Sequence, residues 1–201
     1  MSARGEQTRN TLIDTTRRLI HAKGVGGARI GEVLSETGLP KGSLYFHFAG
    51  KNELALAALE RAGEDFDAFL ERALRGPDPA RRLQNFFAAV RKKHRDSGYV
   101  GGCLFGNSAL ETADGDPRYA ALLRRVFDGW AESLQAVIAD AQQAGQLRHD
   151  LPADALARQT VAVVEGGIMA ARLAKSGRPL DEALETLQAL LHLNPPSRRK
   201  E

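Results

Sequence analysis

Hydrophobic positions along this chain recur every three or four residues almost from end to end, the spacing of one face of an α-helix. Leu12, Thr16, Leu19 and Ile20 form a first face, which Gly24 ends. Ile30, Val33 and Leu34 form a short second face closed by Gly38. Pro40, whose missing N–H costs nothing in a first turn, opens a short third helix. A fourth starts near Gly50, with Glu53 placed for a capping arrangement. It runs through Leu54, Ala58, Leu59, Ala62, Phe66, Phe69 and Leu70 to a stop at "GPDP", 76–79. Beyond it, Leu83, Phe86, Phe87 and Val90 mark a helix that ends in "DSGYVGG" (96–102), and a short one holds "CLFGNSALE" (103–111). Longer patterns follow from Pro117 to Gly145, from Pro152 to about Ser176 and from Pro179 to Leu193. No β-branched run alternates with period two, so no strand is expected. The pattern predicts an all-α protein of about nine helices without internal repeats.

Composition supports a packed protein: 43% of the 201 residues are apolar and 26% charged, enough for one large domain or a small one joined to a larger. No apolar run reaches membrane-spanning length, and "MSARGEQTRN" has no apolar stretch of signal-peptide type, so a cytoplasmic location without a membrane partner is expected. The single Cys excludes an internal disulfide. Charge changes the picture more. Residues 1–51 carry eight Lys/Arg against four acids, a balance of +4, while the remaining 150 sum to −1. A basic first segment ahead of a near-neutral body is the footprint of a head that meets a polyanion; the alternative is a chance excess of solvated cations.

That segment contains "GLPKGSLYFHFAGKNEL" (38–54), in which Tyr45, Phe46, His47 and Phe48 are consecutive rings in a chain only 6% Phe, Trp and Tyr. Two short helices around "ETGLPKGS" make a helix-turn-helix. Gly38 can take the positive φ of a sharp reversal, and Leu39 is expected to bury between the helices. Leu44 and Phe48, four apart, face the small core. Lys41, Gly42, Ser43, Tyr45 and His47 lie on the other side, where a cation, a close-approaching backbone, hydroxyls and a ring N–H suit a DNA groove and its phosphates. Lys51, opening the next helix, adds charge at a helix N-terminus.

These residues, with "TLIDTTRRLIHAKG" and "ARIGEVLSETG" upstream, resemble the DNA-binding head of the TetR family of bacterial repressors over residues 9–54. The resemblance implies a three-helix head at 1–51, an effector-binding and dimerisation body at 52–194, and a disordered basic tail at 195–201. It implies that Arg29 meets phosphate, that Lys41, Gly42 and Ser43 face the major groove, and that Tyr45, His47 and Lys51 hold phosphates. Arg29 stands where the family often has Thr, so the usual hydroxyl cap is missing and Ala28 cannot replace it. The function implied is a repressor that binds a palindromic double-stranded operator as a homodimer and is released by a small effector.

A two-fold operator needs a self-complementary protein face. Ala162, Gly166, Ala170 and Ala174 recur every fourth residue, and Leu184, Leu187, Leu190 and Leu191 line the last helix. The resemblance implies that these last two helices pair with their symmetry mates; small stripes also pack on neighbours inside a single chain. An effector site among the middle helices would draw on Phe66, Phe69, Phe87, Cys103, Phe105, Phe127, Trp130 and Met169, with Asn107, Glu111, Glu165 and Arg172 as polar groups, and would suit a largely apolar molecule.

Cys103 follows two glycines where a short helix begins, a position that favours thiolate. Its "GGCL" box resembles one in a subset of the family, some members of which sense electrophiles or oxidants through the Cys, with Arg172 as a possible assistant. The other reading is a space-filling thiol. Catalysis is not expected. The five His residues are scattered, no metal spacing or phosphate-cradling loop is present, and Glu111, Asp114 and Asp116, near the Asp-Gly-Asp-Pro turn, read as loop solvation and helix capping. No metal and no cofactor are expected.

Overall fold

The structure is a computed structural model that describes residues 3–193. The described residues form nine helices and no strand: α1 (Ala3–Gly27), α2 (Ile30–Thr37), α3 (Lys41–His47), α4 (Lys51–Ala73), α5 (Pro79–Asp96), α6 (Leu104–Thr112), α7 (Pro117–Gln143), α8 (Ala153–Ala174) and α9 (Arg178–Leu190). The all-α expectation and the order of the helices hold. No described helix is long and apolar enough to cross a membrane. The expected tail, 195–201, lies outside the described residues.

Chain contacts divide the fold into two compact units. One comprises the described residues up to Phe66 together with Leu104–Val126; the other comprises Asp67–Cys103 and the described residues from Phe127 onward. This grouping differs from a head that ends at residue 51, because α6 and the start of α7 pack with α1–α4. The sequence could not announce it: Glu111 on α6 and its partners Val25 and Gly26 are about 85 residues apart, and a helical period does not say which helix a face will meet.

In the first unit, Leu12, Ile13, Leu19, Ile20, Val33, Leu44, Phe48, Leu54 and Leu59 are buried, each worth roughly 1.5–3 kcal/mol over exposure. α1 breaks at Gly24, where φ 79° and ψ 171° leave the helical region, and a last turn continues to Gly27. α1 packs on α2, α3 and α6. The α2–α3 turn follows from its residues. Gly38 is left-handed (φ 66°) and its N–H returns to the Leu34 carbonyl at 3.0 Å. The Thr37 hydroxyl donates to the Val33 carbonyl at 2.8 Å and accepts from the Leu39 N–H at 3.4 Å. Leu39 is half-buried rather than enclosed. Pro40 is the N-cap of α3, one position ahead of its first turn. The Glu53 carboxylate at the third position of α4 accepts the Ala49 N–H, one residue before the helix cap.

In the second unit, α8 and α9 pack along their length, and α5 meets α9. Buried Leu156, Val164, Ile168 and Ala171 on α8 face this core with Leu180, Leu184 and Leu187 on α9. Arg91 on α5 pairs with Asp181 on α9 at 2.9 Å. Asp78 caps α5 by accepting the Arg81 N–H at 2.9 Å, with Pro79 opening the helix.

Candidate nucleic-acid interface

A helix seven residues long cannot bury two faces, and α3 divides its side chains accordingly. Leu44 and the adjoining Phe48 are buried; Lys41, Gly42 and Tyr45 are exposed, and Ser43 and His47 are half-buried. Tyr45 is 48% exposed, with the Lys41 ammonium 5.7 Å from its ring centroid, so cation and hydroxyl share one patch. Nothing would meet a Cβ built on Gly42, which leaves its backbone open to close approach. Arg29 is the N-cap of α2, exposed and without a side-chain capping bond, the arrangement its replacement of a hydroxyl residue led us to expect.

Phe46 was not among the candidates, yet it is 77% exposed. Its ring meets His47 edge-on at 4.9 Å. The signal was available: with Leu44 and Phe48 inward, a residue midway between them on a helix must point away. Lys51 has an intramolecular role that spacing did not suggest. Its ammonium donates to the Gly26 carbonyl at 2.7 Å.

The effector candidates do not fall in one unit. Phe66, Phe105, Asn107 and Glu111 lie in the first; Phe87, Cys103, Phe127, Trp130, Glu165, Met169 and Arg172 lie in the second. In the first, half-buried Phe66 packs on buried Phe105 at 5.5 Å. In the second, half-buried Phe127 stacks on buried Trp130 at 6.1 Å, and Trp130 meets Phe86 at 6.3 Å. Two expectations need correction. Met169 is 65% exposed on α8 and lines no interior. Glu111 accepts the backbone N–H groups of Val25 at 2.7 Å and Gly26 at 2.5 Å, so its carboxylate serves the end of α1.

Cys103 and Glu165, both candidates, are neighbours. The thiol donates a hydrogen bond to the Glu165 carboxylate; the buried Oε1 of that carboxylate has no hydrogen-bond partner among the described residues. Burial raises the Glu165 pKa, and the Cys103 hydrogen bond and the charge of Lys93 oppose the rise. The Gly101 and Gly102 residues before Cys103 have φ of 82° and 70°, conformations that glycine adopts freely.

The expected dimer residues also separate. Ala162, Gly166 and Ala174 are exposed on α8, Ala170 is half-buried, and Leu173 on the same face is 87% exposed. Leu184, Leu187 and Leu191 are buried within the chain. This corrects their placement on an outer face: the apolar stripe of α9 is used against α8, and Leu190 is the exposed leucine there.

The family model described as "Bacterial regulatory proteins, tetR family" matches residues 12–58, and the one described as "Tetracyclin repressor-like, C-terminal domain" matches residues 79–187. The chain is similar to the HTH-type transcriptional repressor DhaR of Mycobacterium sp. (strain GP1), at 29% identity over 91% of this chain and 92% of DhaR. It is similar to the transcriptional regulator AcuR of Cereibacter sphaeroides at 30% identity, over 82% and 76% of the two chains. A crystal structure of a TetR transcriptional regulator from Chloroflexus aurantiacus J-10-FL matches with a TM-score of 0.83 and 30% identity, covering 94% of this chain and 96% of that one.

Proposed function

Because this chain belongs to the TetR family of DNA-binding transcriptional regulators, we propose that it is a repressor that binds a palindromic operator as a homodimer and leaves it when a small, largely apolar effector binds. The observation that carries this reading is the divided α3: Lys41, Gly42 and Tyr45 exposed above buried Leu44 and Phe48. The exposed set supplies a cation, an open backbone and a hydroxyl, the donors that phosphates and base edges accept. One seven-residue helix makes few contacts, so two protomers would place their α3 helices about 34 Å apart, or a multiple of it, in successive major grooves. The small-residue face of α8, with Met169 and Leu173, is the surface we assign to the partner. The paired rings Phe66–Phe105 and Phe127–Trp130, one of each pair only half-buried, favour an apolar effector. The test is selection of duplexes from a randomised pool by the purified protein, followed by a thermal-shift screen of small apolar compounds. Two-fold related half-sites and a compound that releases the duplex are expected; retention of no duplex would refute the reading.

A second reading makes Cys103 the sensing group for electrophiles or oxidants, and its contact with Glu165 favours it. With an α,β-unsaturated carbonyl, the sulfur would form a bond to the β-carbon as the thiol proton passes to the Glu165 carboxylate, and the α-carbon would then take a proton. Release of DNA by an electrophile from a Cys103→Ser protein would dispose of this reading.

A further inference from the structure

We propose that Glu111 is a positioning residue for operator binding, acting through the Gly26 backbone on the Lys51 ammonium; this rests on the reading of Lys51 as a phosphate contact. The break at Gly24 frees the N–H groups of Val25 and Gly26 from the helical ladder. Each carboxylate oxygen of Glu111 takes one of them, Oε2 from Val25 at 2.7 Å and Oε1 from Gly26 at 2.5 Å. Adjacent N–H groups that converge on an anion form a backbone nest. The seat depends on glycine: a Cβ at residue 24 would lie 2.6 Å from Oε2, and one at residue 26 would lie 2.8 Å from Oε1.

The same Gly26 presents its carbonyl to Lys51 at 2.7 Å. An ammonium has three donors; this bond occupies one and leaves two for a phosphate. Lys51 is the first residue of α4, four positions beyond the end of α3. The backbone of that first turn is held separately, by Glu53 on the Ala49 N–H and by the Tyr119 hydroxyl on the Asn52 carbonyl at 3.3 Å. What remains loose is the lysine side chain, and the Gly26 carbonyl is what orders it. A carboxylate on α6 thereby fixes the N–H side of Gly26, and the carbonyl of the same residue, in the next peptide unit, aims a DNA-facing cation. Ordering that side chain before DNA arrives removes an entropic cost of binding.

The test is a double-mutant cycle on a duplex selected by the protein, with affinity measured from low to high salt. Lys51→Ala, lost from both protomers of the proposed dimer, should weaken binding roughly thirtyfold near 0.15 M salt and lower the salt slope by about 2, the counterion-release value of two phosphate contacts. Glu111→Gln cannot accept both N–H groups. It should lose part of that affinity with a partial fall in slope, and the Glu111→Gln, Lys51→Ala double variant should bind no worse than Lys51→Ala alone. Gly26→Ala, which pushes the carboxylate out without altering charge, should behave as Glu111→Gln, and far-UV circular dichroism confirms that each variant is folded. Multiplicative losses, or an unchanged slope in both Glu111→Gln and Gly26→Ala, would overturn the inference while leaving Lys51 as a contact. An unaltered affinity for Lys51→Ala would instead remove the contact itself, and the inference with it.

Discussion

Gly167 on α8 and Leu180 on α9 approach so closely that a Cβ on the glycine would lie 2.9 Å from Leu180 Cδ1 and 3.2 Å from Ala183 Cβ. Its neighbour Gly166 is exposed, and a Cβ there would meet nothing within 4 Å among the described residues. The two adjacent glycines therefore serve different surfaces. Gly167→Ala should lower the melting temperature, since overpacking costs about 1–3 kcal/mol against a helix-propensity gain of up to about 1 kcal/mol. Gly166→Ala should leave the isolated chain as stable or more so, and any harm it does should depend on protein concentration, because only a partner helix can feel it. Thermal unfolding at two concentrations checks both. Equal, concentration-independent losses would contradict the assignment.

The outer face of α8 gives a second prediction. Leu173 and Met169 are exposed in the chain, so charge there should not disturb the fold. Leu173→Glu should keep its helical circular dichroism while a dimer becomes a monomer in sedimentation. A Leu173→Glu protein that remains dimeric would place the interface elsewhere.

Glu165 carries a pH signature. Burial raises its pKa above the ordinary 4.5. A raised folded-state pKa contributes stability that is complete below the unfolded value and is lost as pH rises through the folded one. Glu165→Gln removes this titration and keeps a carbonyl oxygen for the Cys103 thiol. The melting-temperature advantage of Glu165→Gln over the native protein should grow as pH rises from about 4.5 and then level off. A difference independent of pH would show that Glu165 is not held in this environment.

Much of this was legible in the chain because helical period and breakers are local. Gly24, Gly38 and the Pro residues marked their helix ends, and the spacing of Leu44 and Phe48 marked the inward face of α3. The unread parts were long-range and polar. Glu111, near the end of the short helix α6, carries no sign that its partners are Val25 and Gly26. The α9 leucines have the same period whether they meet α8 or a second copy, so burial alone separated Leu184, Leu187 and Leu191 from Leu190. Cys103 and Glu165 were each noticed, but their pairing needed the fold.

Whether the exposed side of α3 carries the affinity for DNA, as proposed, is read by a salt titration of one double variant. The native protein should hold its selected duplex with an affinity that falls steeply as salt rises. Lys41→Ala with Tyr45→Ala, at positions exposed enough to spare the fold, should weaken that binding at least tenfold and flatten the salt dependence by roughly one phosphate contact or more. Retention of the duplex at native affinity and with the native salt slope would contradict the claim.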